Sequence, residues 1–130
     1  MYGILTPIVN GQRVFMNAHT SEIFPMEANE NEEMLTVGKY RFSIKAFQKA
    51  NAVISSALKK EGWIILDEVG PLELRGDGFY EVLGAMSVSP TDHQKFVVVV
   101  RQAIVEEVKA RFPFLSSAQV ITTGSHFFDS

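Results

Sequence analysis

Four large apolar residues in a row, Trp63-Ile64-Ile65-Leu66, have no polar alternation. That pattern predicts a strand buried on both faces, as in a parallel sheet covered by helices. The run ends in Asp67-Glu68 and then Gly70-Pro71, where the missing proline N–H stops a ladder. Two carboxylates are therefore expected at the carboxyl end of a central strand, where open α/β sheets place their ligands. Phe96-Val97-Val98-Val99-Val100 has the same character and predicts a second buried parallel strand, ending at Arg101. Gln119-Val120-Ile121 predicts a short last one.

Helical spacing fills the gaps. Ser43 suits an N-cap, with Ile44, Phe47, Asn51, Ile54 and Leu58 forming the stripe behind it and Gly62 as the C′ residue. Asn51 is read as a helix-packing hydrogen bond rather than a ligand. Asp77 is a candidate cap for a helix bearing Phe79, Val82, Leu83 and Met86, and residues 87–93 read as a turn. A third helix over residues 103–112 turns Ile104, Val105, Val108 and Phe112 inward, and Pro113 ends it.

Toward the front, residues 2–9 and 12–18 flank Asn10-Gly11, a hairpin signal because both residues tolerate positive φ. Residues 22–26 and 34–42 also read as extended. The expected architecture is one α/β domain over residues 1–130, with a β-rich hairpin region joined to a βαβ series from residue 34 onward.

Composition removes more functions than it suggests. Among 130 residues, 46% hydrophobic and 21% charged, the formal net charge is −3. The scattered cations exclude wrapping of nucleic acid, whose affinity comes from clustered Lys and Arg. With no cysteine, disulfides, thiolate zinc sites and Cys nucleophiles are excluded, and a reducing, cytoplasmic setting is the default. No stretch has the length of a membrane span. Residues 27–33, rich in Glu, read as a solvated loop; Arg75-Gly76-Asp77 has no weight as an adhesion signal. His19, His93 and His126 stand too far apart for zinc, and Ser125, His126 and Asp129 crowd into five residues where triad members converge from separate elements. A glycosidase-like pair is disfavoured because Asp67 and Glu68, as strand neighbours, should point to opposite faces. No G-x-G-x-x-G precedes a helix.

Ile64-Ile65-Leu66-Asp67-Glu68-Val69-Gly70-Pro71-Leu72-Glu73-Leu74, followed by Gly78-Phe79, resembles the Walker B segment of the small P-loop nucleoside-triphosphatases, the thermophilic and human cancer-related type. Gly3-Ile4-Leu5-Thr6 with the Asn10-Gly11 hairpin, Val37-Gly38-Lys39-Tyr40, and Val98-Val99-Val100-Arg101 are similar to the same family, so the resemblance spans nearly the whole chain. It implies a P-loop NTPase-like three-layer domain with a mostly parallel central sheet, hydrolysing nucleoside triphosphates (ATP or GTP) with Mg2+ and little base preference. By that resemblance Asp67 would hold the metal and Glu68 would orient the attacking water or take its proton. Glu73 and Arg101 become candidate nucleotide-site residues, with a strand-end salt bridge as the competing explanation.

One departure is large. The family's first strand, G-x-x-G-x-G-K-[ST] loop and first helix should precede the segment equivalent to Tyr2-Gly3, and no Gly-Lys-Ser or Gly-Lys-Thr occurs here. Gly38-Lys39 is followed by Tyr40, and Thr122-Thr123-Gly124-Ser125 departs from the basic stretch expected there. The expectation is thus a truncated NTPase domain, inactive alone, with a vacant sheet position that invites a homodimer or strand exchange. The alternative is a non-catalytic interaction module built on the same scaffold.

Overall fold

The computed structural model describes residues 1–88 and 93–117. Strands β1 (Tyr2–Leu5), β2 (Ile8–Val9), β3 (Gln12–Asn17) and β4 (Ile23–Pro25) come first, and then the hairpin of β5 (Met34–Val37) and β6 (Tyr40–Ser43). Helix α1 (Ile44–Ala57) leads into β7 (Gly62–Val69), the one-turn helix α2 (Pro71–Leu74), α3 (Tyr80–Val88), β8 (Gln94–Val100) and α4 (Val105–Arg111). The central sheet has the order β2-β3-β1-β7-β8, with β4 on β3. Its heart is parallel: β7 runs beside β1 on one flank and β8 on the other. The front hairpins add to it antiparallel.

The start of α1 has a local cause. Ser43 Oγ accepts the Ala46 N–H at 3.1 Å, so the predicted N-cap is in place. Asn51 donates to the carbonyls of Phe47 at 2.8 Å and Gly78 at 3.0 Å, tying α1 to the loop after α2. The core joins both layers. Phe15 of β3, Phe47 of α1 and Phe79 interlock edge to face, with centroids 5.0–5.9 Å apart. Ile64, Ile65 and Leu66 are fully buried on β7, each stabilising by roughly 1.5–3 kcal/mol.

Several expectations are corrected. Trp63 is 48% exposed, because it lies at the foot of β7 where the ring rests under Lys95 rather than in the core. Residues 34–42 do not supply the first strand of a βαβ series; they fold on Gly38 into a separate two-stranded sheet, and β1 takes the place beside β7. The buried face of α1 is Ala46, Phe47, Ala50, Ile54 and Ala57, since small residues let the helix approach the sheet closely. Gly62 opens β7 at φ +107 instead of ending α1, which stops at Ala57. Ser87 and Val88 continue α3, and the strand β8 is half-buried, not fully buried. The predicted third helix begins with a 3-10 turn at Gln102–Ile104 before α4. The strand expected at Gln119-Val120-Ile121, the stretch Thr122-Thr123-Gly124-Ser125, the tail residues His126 and Asp129, and the rest of the predicted turn at residues 89–92 lie outside the described residues.

Gly3 decides how tightly β1 meets β7. Its φ is +114, and a Cβ there would stand 2.0 Å from the Ile65 carbonyl oxygen, which is backbone and cannot swing away. Gly3→Ala is expected to destabilise the fold by about 3 kcal/mol or more. Gly11→Ala, at φ +77 with nothing within 4 Å, should cost only about 1–2 kcal/mol. Urea denaturation of both variants checks the contrast.

Candidate functional site

Because β1, β7 and β8 run parallel, their carboxyl ends bring Thr6, Asp67-Glu68 and Arg101 to one end of the sheet. Asp67 is the buried centre. Its Oδ2 accepts both the backbone N–H of Thr6 at 3.1 Å and the Thr6 hydroxyl at 2.9 Å. Sixty-one residues separate these partners, and only the β1–β7 pairing unites them. Among the described residues Oδ1 accepts from no donor.

Glu68 breaks the strand's alternation. It sits at φ +59, a region β-strands do not use, where the register with β8 slips between Leu66 and Val69. The expectation that Asp67 and Glu68 diverge as ordinary strand neighbours therefore fails: the bulge re-aims Glu68 toward Arg13 of β3. Arg13 Nη1 donates to Glu68 Oε1 and also lies 3.3 Å from the Thr6 carbonyl and 3.4 Å from the Thr6 hydroxyl. One hydrogen-bonded cluster thus holds both carboxylates. Partial burial raises the Glu68 pKa above the ordinary carboxylate value; Arg13 pulls it back, Asp67 pushes it up, and Arg101 pulls it back. Arg101 is exposed at the tip of β8 and acts on Glu68 through its charge; among the described residues it makes no salt bridge.

Glu73 serves the loop that follows. It is 2% exposed, and its two oxygens accept the backbone N–H of Gly70 at 2.6 Å and of Phe79 at 3.0 Å. Gly78 is required beside it, since a Cβ there would fall 2.0 Å from Glu73 Oε2. Both carboxylate oxygens of Glu73 are thereby occupied by the chain itself. Neither Thr6 nor Arg13 was legible as a site residue: each is an ordinary strand-end or hairpin residue until β1 and β3 are placed beside β7.

The donors at this end are hard oxygens, suited to Mg2+ rather than to zinc. Among the described residues no three His, Asp, Glu or Cys converge as a metal cage.

A model of the NTPase family matches residues 8–122. The chain belongs to this NTPase family. No curated protein is significantly similar in sequence. The solution structure of a human cancer-related nucleoside triphosphatase superposes with a TM-score of 0.64 over 97% of this chain and 75% of that one, at 19% identity. That likeness shows the fold, a mixed α/β domain of the P-loop NTPase type with parallel strands at its centre. No helix among the described residues is long and apolar enough to cross a membrane.

Burial lifts the Glu73 pKa, against the pull of the Phe79 and Gly70 N–H groups and with a further push from Asp77. A carboxylate whose folded pKa is raised binds its proton more tightly in the folded state, so its contribution is fullest in acid and declines as pH rises through and above 4.5. Glu73→Gln lacks that titration. Its stability deficit relative to the natural protein should therefore be larger at pH 4 than at pH 7, read from urea midpoints at both pH values.

Proposed function

We propose that the domain belongs to a magnesium-dependent nucleoside-triphosphatase, acting on ATP or GTP. The observation that carries this reading is Asp67, buried at the end of the central parallel strand, anchored through one oxygen by Thr6 and open through the other. Mg2+, when bound, would supply neutralisation of the charge that builds on the phosphoryl oxygens. Asp67 holds its place in that site, and Glu68, on the rim, orients water or accepts its proton. Arg101 offers positive charge to phosphate from the neighbouring strand end. Glu73 acts on the nucleotide only indirectly, by fixing the loop beyond Glu68.

The 130 residues do not contain a G-x-x-G-x-G-K-[ST] loop. That loop's backbone N–H groups make charge-assisted bonds worth about 1.5–3 kcal/mol each, so lacking three or four forfeits roughly 5–10 kcal/mol of phosphate affinity. These residues alone therefore bind nucleoside triphosphate weakly and do not turn it over. The second reading is a non-catalytic interaction module on the NTPase scaffold, and the sheet edge is what favours it. The outer edge of β8 has no strand partner among the described residues, and its side chains from Phe96 to Val100 are only half-covered. A homodimer or strand exchange along that edge belongs to this proposal, as does a cytoplasmic setting; no nucleic acid is expected to bind.

Phosphate release from MgATP and MgGTP tests the reading. The 130 residues alone should show none above background. Joined to a P-loop-bearing segment ahead of Tyr2, they should hydrolyse NTP only with Mg2+, and Glu68→Ala should lower kcat at least about 100-fold while sparing nucleotide binding. Turnover indifferent to Glu68 would exclude it. Light scattering of the 130 residues should report a dimer; a clean monomer would remove the strand-exchange part.

A further inference from the structure

We propose that Arg13 is the positioning residue of Glu68: held on Thr6, its guanidinium fixes one carboxylate oxygen and leaves the other facing outward to meet water. This rests on the reading of Glu68 as the water-orienting group. The placement is over-determined. Arg13 Nη1 contacts Glu68 Oε1, the Thr6 carbonyl at 3.3 Å and the Thr6 hydroxyl at 3.4 Å, and that hydroxyl in turn donates to Asp67 Oδ2 at 2.9 Å. Three strands are joined through one cation: β3 by Arg13, the end of β1 by Thr6, and β7 by both acids.

Stability does not account for this arrangement. The Arg13 and Glu68 side chains are 38% and 37% exposed, and exposed pairs of this kind contribute little. Yet Glu68 occupies a left-handed backbone conformation that a non-glycine residue adopts only when its surroundings hold it there. Asp67 lies next in the chain and repels it. Arg13 offsets that repulsion and gives the re-aimed side chain a fixed anchor, while Glu68 Oε2 accepts from no donor among the described residues. A planar fork suits the task better than an ammonium, because it addresses several acceptors in set directions. Reacting groups need such constraint, since an oxygen misplaced by about 1 Å can cost about 100-fold in rate.

The test uses the whole 130-residue chain and needs no hydrolysis. In NMR spectra of Arg13→Gln, the Glu68 backbone and carboxyl signals should move toward an ordinary extended residue, and those of Thr6 and Asp67 should shift with them. Arg13→Lys should restore the Glu68 signals in part, and the Tm of both variants should fall by no more than a few degrees. Reciprocally, Glu68→Gln should release the Arg13 guanidinium N–H signals into fast exchange with solvent. Glu68, Thr6 and Asp67 signals unmoved in Arg13→Gln would overturn the inference, and so would a collapse of the whole spectrum in both Arg13 variants. Hydrolysis that survives Glu68→Ala in the P-loop-joined form is a separate outcome; it removes the reading of Glu68 even where the NMR contacts respond as expected.

Discussion

The parallel seam between β1 and β7 is the constraint on which the rest depends. At position 3 the two backbones come so close that no side chain fits, and this contact sets the register of Tyr2, Gly3 and Ile4 against Ile64, Ile65 and Leu66. Register then delivers Thr6 to Asp67. A slip of one residue would turn Thr6 to the other side of the sheet and leave the buried carboxylate without its two donors. A glycine with no side chain of its own therefore determines whether Thr6 meets Asp67 at all.

Asp67 was visible in the sequence because its evidence is local: an unbroken apolar run that stops at an acid before Gly-Pro. The Ser43 cap, the Asn10-Gly11 turn and the packing role of Asn51 were visible for the same reason. Thr6 and Arg13 were not. Nothing in their own neighbourhoods distinguishes them, and they reach Asp67 and Glu68 across 61 and 55 residues. Residues 34–42 were misassigned because alternation shows that a segment is extended but not which strand it pairs with; Gly38 at φ +57 lets it close on itself. Trp63 misled in another way, since a bulky apolar residue at the mouth of a strand can sit under a lysine ammonium as comfortably as it can be buried.

Behind the acidic pair, the loop from Gly70 to Phe79 is built to stay in place. Glu73 gathers N–H groups from both of its ends, Gly78 gives the carboxylate room, and Asn51 of α1 holds the Gly78 carbonyl. The 130 residues contain no G-x-x-G-x-G-K-[ST] motif, while among the described residues the sheet end formed by β1, β3, β7 and this loop is tied together by its own hydrogen bonds.

The exposed ring at the foot of β7 has a practical consequence. Trp63 is the sole tryptophan of the chain, and its indole lies beneath the Lys95 ammonium, which β8 supplies across the strand pair. Excitation at the red edge of the near-ultraviolet band, where the three tyrosines do not absorb, therefore addresses a single indole. Its emission reports whether β7 and β8 remain zipped together at the end of the sheet opposite the carboxylates, so the protein carries its own optical gauge of that seam.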